Sequence, residues 1–436
     1  MSIAWAARLE LAESPAFGAR RRTRANVAGA DMAPIVYASG SGSNVVDVDG
    51  NRYVDLAAGF GALLLGHRPA RVARALALQA DRLWMALGDL YSSDAKVALS
   101  ERIAELYPAR GARAILGQSG SDAIGAALKT AKLATGKPGV VAFEGGYHGL
   151  GYGPLAICGL KASWREAFSD QLNPHVAFAP YPRSAEGLDE ALTRVKSALD
   201  RGSAGAVVVE PILGRGGVVV PPPSFLGELF SLTRQNGALL IADEIWTGLG
   251  RSGHVLASMG GADAGSTGVV PDIVCFGKGL GGGLPLSACV GADEVMQAWR
   301  REPSREVVHT ATFFGAPLAC ATAIATLDVL RADKLDERAR EVGARAKRAL
   351  AHSLQSVPGV GDVRGAGLML GVALGTEATA LAIQRSLLEA GYIVTLGGLK
   401  NEVLILTPPL TIAESLLEGF AATFRGLLEG ANDPSP

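Results

Sequence analysis

Residues 271–284 read PDIVCFGKGLGGGL, an apolar run that ends in a lysine set among five glycines. The run 273–276 reads as a short buried strand. Lys278 follows it in a loop that offers no neighbour to screen its charge. Burial disfavours an ammonium and lowers its pKa, so such a lysine can present a free amine able to condense with a carbonyl. Taken alone, the segment is equally a glycine-rich turn that happens to carry a lysine.

Two further runs decide between these readings. Residues 237–242, GALLIA, form another strand-like stretch, which delivers Asp243 and Glu244 at its C-terminal end, and residues 206–209, AVVV, deliver Glu210 in the same way. Apolar runs without alternation mark parallel strands covered on both faces, and ligands of open α/β sheets bind beyond the carboxyl ends of such strands. Glu210, Asp243 and Lys278 are therefore expected on one rim.

At 436 residues the chain is long enough for two domains. Its 48% hydrophobic content and mean hydropathy of +0.24 come without an apolar run of membrane-spanning length, which assigns the excess to a large core and a subunit interface. A net charge of −1 leaves no footprint for nucleic acid or anionic membranes. Arg8 and Glu10 interrupt what would be the apolar core of a signal peptide, and the four cysteines are widely spaced with no CxxC or Cys/His cluster. The expectation is a cytoplasmic protein with reduced thiols and no metal site.

Along the chain, residues up to about 33 read as helical and arm-like. Residues 45–56 read as a hairpin around Asp49-Gly50, and 70–86 and 94–106 as helices. From about 112 to 292, six strand-like runs (114–116, 140–143, 206–209, 238–242, 273–276 and 287–290) alternate with helical stretches. This is the rhythm of an α/β domain with a mostly parallel sheet. Helices over 318–330 and 335–354 precede a second α/β pattern with strands at 369–374 and 403–407. The tail 430–436 reads as frayed.

Gly120 and Ser121 stand in a strand–turn–helix passage, GQSGSD, where unpaired N–H groups and the helix dipole favour an anion; an ordinary N-cap reads the same way. Gly277, Gly279 and Gly282 match GxGxxG, but the loop leads to another strand rather than a helix, so it is a poor dinucleotide fingerprint.

Together DVDGNRYVDLAAG, SGSDAIGAALKTAK, FEGGYHG, VEPILGRGGVVVPP, ADEIWTGLGRSG, PDIVCFGKGL, TATFFGAPLA and VRGAGLMLGV, in this order and spacing, resemble the class III aminotransferases. These are fold-type I enzymes that use pyridoxal 5′-phosphate, and the resemblance extends from about Pro34 onward. It implies a large cofactor-binding domain over 66–325 with a seven-stranded, mostly parallel sheet. A smaller α/β C-terminal domain would span 326–436, with the N-terminal segment 1–65 packing on it. Lys278 would bond covalently to the cofactor and then move a proton between the substrate α-carbon and the cofactor, while Asp243 would keep the pyridine nitrogen protonated. Gly120 and Ser121 would bind the phosphate, Tyr147 and Ile245 would cover the two ring faces, and Glu210 and His148 would stand behind them. Thr312 would reach the phosphate of a neighbouring subunit, making the active unit a homodimer with shared sites. The partners implied are an amino donor, either an amine or an amino acid, and a keto-acid acceptor.

The departures bear on substrate. Members of the family that handle glutamate, ornithine or 4-aminobutyrate carry arginines where this chain has Leu150 and about Ile405. The usual glutamine two places after the Asp-Glu pair is Trp246, and the usual Gln-Gly-Glu after Glu-Pro is Leu213-Gly214-Arg215. With both arginine clamps missing, a dicarboxylate would bury an unpaired charge, so pyruvate is expected as acceptor ahead of 2-oxoglutarate. Arg215 is a candidate replacement clamp or an exposed loop arginine, and Phe60 a further candidate substrate contact. GKGLGGGLPLSA and EVLILTPPLTI also resemble the aminocaprolactam racemase and amino-acid epimerase branch. An epimerase needs a second acid/base near position 215, and an arginine there does not lose its proton. A non-catalytic binding protein on the same fold is the third reading, against which the presence of both Lys278 and Asp243 speaks.

Overall fold

In the computed structural model, residues 1–29, 33–109, 111–266 and 268–432 are described. Of the tail read as frayed, residues 430–432 end the helix Glu414–Asn432, and 433–436 lie outside the described residues, as do 30–32 of the N-terminal arm.

Seven strands form the central sheet, in the spatial order Arg113–Gly117, Ser287–Gly291, Ile273–Phe276, Leu239–Asp243, Ala204–Val209, Gly139–Phe143, Val176–Ala179. The last five are mutually parallel, and Ser287–Gly291 runs antiparallel to both of its neighbours. The four inner parallel strands are buried along almost every residue, which is why their sequences show no alternation. Val176–Ala179 escaped the sequence reading. It is a half-buried edge strand of four apolar residues, and the closely flanking Pro174 and Pro180 make the stretch read as loop.

Two smaller four-stranded sheets flank the central one. The hairpin Asn44–Asp47 and Arg52–Asp55 forms about Asp49-Gly50 as read. Asp47 accepts the N–H groups of Asp49 (2.9 Å) and Asn51 (2.8 Å), and Gly50 takes the left-handed backbone the turn requires, φ +88°. Tyr37–Ser41 joins one side of the hairpin, and Tyr392–Ile393, from far along the chain, joins the other in parallel. The second small sheet, in the order Val363–Ala366, Met369–Ala373, Val403–Leu406, Thr395–Gly397, is antiparallel throughout.

The helix expected over 70–86 stops at Ala80. There the Gln79 side chain donates to the Leu83 carbonyl at 2.9 Å, and the N–H groups of Arg82 and Leu83 both turn back to the Gln79 carbonyl, closing the chain into a turn. Among the described residues no helix is long and apolar enough to cross a membrane.

Candidate active site

Three neighbouring parallel strands end on the same rim. Asp243 closes its strand, Glu210 follows Val209 directly, and Lys278 comes two residues after Phe276. Lys278 opens a tight 3-10 turn with φ +40°, a left-handed conformation that is strained for a residue with a side chain. The glycines around it are demanded by close approach: a Cβ on Gly279 would collide with the Leu64 side chain. The Lys278 ammonium lies 4.5 Å from the centre of the Trp246 ring. Burial lowers its pKa to about 8, against the opposing pull of Asp243 and Glu210 and with help from Arg215.

Behind the lysine is a buried polar network. His148 Nδ1 and Asp243 Oδ2 are 2.7 Å apart, and Asp243 Oδ1 accepts the Ile245 N–H at 3.1 Å. Burial works against a charged His148, but the hydrogen bond and charge of Asp243 outweigh it and raise the histidine above its ordinary pKa. Glu210 is buried and uses both oxygens: one accepts the Tyr147 N–H (2.8 Å), the other that of Gly214 (2.9 Å). Its pKa is pushed up to about 7 by burial.

The helix Gly120–Thr135 begins on a capping box. Ser119 Oγ accepts the Asp122 N–H, while Asp122 accepts those of Ser119 and Gln118. This leaves the N–H groups of Gly120 and Ser121, first in the helix, without intrahelical acceptors, a cradle suited to an anion. Gly120 packs on Ile245, to whose Cδ1 an added Cβ would come within 2.8 Å, and Gly277 lies against the same isoleucine. Ser121 Oγ is 3.1 Å from the Gly151 nitrogen, whose N–H it accepts, joining the cradle to the segment that carries Tyr147 and His148.

Arg215 is half-buried rather than an exposed loop arginine. Its guanidinium lies 4.5 Å from the centre of the Tyr147 ring and 5.5 Å from that of Trp164. Trp164 was not anticipated. It comes from the short helix Ser163–Glu166, and no local pattern connects it to the rim. Trp246 is buried between Gly61 and Gly214, either of which would strike it if it bore a Cβ, and the indole N–H has no acceptor among the described residues. Ile405 is buried in one apolar cluster with Trp246 and Ile212. Leu150 is exposed, and so is Phe60, in a turn where Ala58, Gly59, Phe60 and Gly61 all have positive φ. Thr312 is exposed.

A depressed-pKa lysine, a buried carboxylate–imidazole pair and a free helix N-terminus fit a phosphorylated aromatic aldehyde and define a lysine-centred pyridoxal-phosphate fold. The class-III aminotransferase family model matches residues 26–428, and the chain belongs to that family. It is 36% identical over 406 residues to the acetylornithine aminotransferase of Mycobacterium tuberculosis, covering 91% of this chain and 92% of that one. It is 34% identical over 411 residues to the 4-aminobutyrate aminotransferase of the same species, covering 88% of each. Among solved structures, an amine transaminase from an uncultivated Pseudomonas species in its pyridoxal-phosphate-bound form superposes with a TM-score of 0.81 at 30% identity, over 92% of this chain and 94% of the other. The ornithine aminotransferase of Toxoplasma gondii does so with a TM-score of 0.80 at 31% identity, over 91% and 90%. The protein is thus a pyridoxal-phosphate-dependent aminotransferase of fold type I.

Proposed function

We propose that the enzyme moves an amino group from an amine or amino acid to a monocarboxylic keto acid, with pyruvate preferred over 2-oxoglutarate. The cofactor supplies a carbonyl for the amino group and a ring that delocalises the electrons left on the substrate carbon. Lys278 holds it covalently and, with part of its population neutral near pH 8, takes and returns the α-proton. Asp243, oriented by His148, keeps a proton on the pyridine nitrogen. The N–H groups of Gly120 and Ser121 receive the phosphate, and Tyr147 and Ile245 enclose the ring. Glu210 supports the site from behind.

We assign the remaining phosphate contact to Thr312 of the partner subunit, in a homodimer with shared sites. Exposed apolar side chains at Trp84, Leu87, Leu90 and Tyr91 support such an interface. The four thiols are free and buried, which is consistent with a cytoplasmic location.

One observation carries the substrate reading. Arg215, the cation that the departures from the family pattern introduce, is held over Tyr147, while the apolar side chains of Leu150 and Ile405 offer nothing to a second carboxylate. An arginine at position 215 also leaves no second acid/base for epimerisation. The test is kcat/KM for pyruvate and 2-oxoglutarate with one common donor, in wild type and Arg215→Ala. Wild type should favour pyruvate, and the variant should lose about tenfold or more on it, the range for a hydrogen bond to a charged group. A strong wild-type preference for 2-oxoglutarate would refute the assignment.

A further inference from the structure

Glu210 bonds through its two oxygens to the backbone at Tyr147 and to the backbone one residue before Arg215. One oxygen receives the N–H of Tyr147, and the other that of Gly214. We propose that Glu210 is a positioning residue that sets the carboxylate specificity of the site by holding Tyr147 and the Arg215 loop in register. This rests on the substrate reading given above, with Arg215 as the clamp.

The loop has little freedom of its own. Leu213 and Val219 bond to each other, closing its base. Gly398, from the C-terminal sheet, donates to the Arg215 carbonyl at 2.8 Å, and Arg364 Nε donates to that of Gly217 at 2.8 Å. These bonds fix the outer side of the loop, and the Gly214–Glu210 bond fixes the inner side. Gly214 is wedged there: a Cβ would lie 2.5 Å from Trp246 and 3.0 Å from Glu210 Oε2. If the inner bond is lost, the loop pivots on its outer anchors and the guanidinium shifts relative to Tyr147 and Trp164. A carboxylate suits the task because it only accepts, at two oxygens, whereas a carboxamide presents an N–H₂ to one of the two donors. Glu210 also acts through its charge on the Lys278 ammonium, an effect common to every acceptor, so the difference between acceptors is what reports placement.

The experiment compares wild type, Glu210→Gln, Arg215→Ala and the double variant as holoenzymes, with one donor and two acceptors, pyruvate and a neutral aldehyde. Glu210→Gln should raise KM for pyruvate by about tenfold more than KM for the aldehyde, with a smaller change in kcat. Combined with Arg215→Ala, it should add little further to that difference, because both changes act through one guanidinium. A Trp164→Phe background isolates the Trp164 fluorescence by difference, and Glu210→Gln should shift that signal in the same direction as Arg215→Ala. If Glu210→Gln does not fold, Glu210→Asp, too short to reach both donors, should give the same pattern at smaller amplitude. Additive effects on the difference between acceptors, equal losses on both acceptors, or a Trp164 signal unmoved by either Glu210 variant would overturn the proposal. If Arg215→Ala leaves the acceptor preference intact, the substrate reading fails and the clause on specificity falls with it; the fluorescence comparison still decides whether Glu210 places the loop.

Discussion

On the role proposed for Lys278 the chemistry turns on its free amine, whose availability can be measured before any cofactor is added. With a pKa near 8, about half of the Lys278 side chains are neutral at pH 8, whereas an ordinary lysine of pKa about 10.4 is roughly 0.4% neutral there, a difference of about a hundredfold. Competitive acetylation of the apoprotein with isotope-labelled anhydride, followed by peptide mapping from about pH 6 to about pH 11, gives the midpoint for this lysine against the others. The neighbouring charges then make two predictions of opposite sign. Asp243 raises the Lys278 pKa, so Asp243→Asn should move the midpoint down. Arg215 lowers it, so Arg215→Ala should move the midpoint up. A wild-type midpoint at the ordinary lysine value would show that burial does not tune the amine. Two variants moving it the same way would show that the charges sit elsewhere.

Two further changes probe the rim. Asp243→Asn keeps size but removes the charge paired with His148, and turnover should fall about 10²–10⁴-fold, as for breaking a buried ion pair worth roughly 3–5 kcal/mol. Because His148 is raised above the ordinary 6.5, the pair stabilises the fold fully below that pH and less as pH rises through the folded pKa; in the variant the histidine resonances should titrate lower and this part of the pH dependence of stability should disappear. Gly279→Ala places a methyl group against Leu64 beneath the lysine turn, and urea unfolding should show a loss of about 1–3 kcal/mol. An unchanged unfolding midpoint would mean that the turn can move, and with it Lys278.

The convergence of Glu210, Asp243 and Lys278 was legible because strands covered on both faces announce themselves by unbroken apolar runs, and such strands deliver whatever follows them to one rim. The edge strand Val176–Ala179 was not, since Pro174 and Pro180 on either side break up its short apolar run. Nor could the sequence say which way Arg215 points. Its orientation depends on Trp164, about fifty residues earlier, and on Gly398, nearly two hundred residues later, and neither spacing leaves a periodic mark. The polar pairing behind the lysine was half visible. His148 stood in a recognisable passage, but that it meets Asp243 is a fact of the folded rim alone.

The departures from the family pattern, scattered over more than 250 positions, gain meaning from where they meet. Trp246 and Ile405 share one apolar cluster. Gly397 lies between Ile405 and the loop of Arg215: an added Cβ would collide with the isoleucine and come within 2.8 Å of the Arg215 carbonyl. The resemblance puts an acid at position 215 and an arginine at about 405, opposite charges in neighbouring segments. Here a cation stands at 215, and a second one at the buried position 405 would put like charges in neighbouring segments, where repulsion is costly. An isoleucine at 405 removes that repulsion, and the stack on Tyr147 and Trp164 gives the relocated cation a surface to lie on. On the proposed substrate reading, the differences at 215 and 405 act as one change, which would move the carboxylate-binding charge from the C-terminal sheet to the rim of the central one. Restoring arginine at 405 alone should not restore 2-oxoglutarate binding while Arg215 remains.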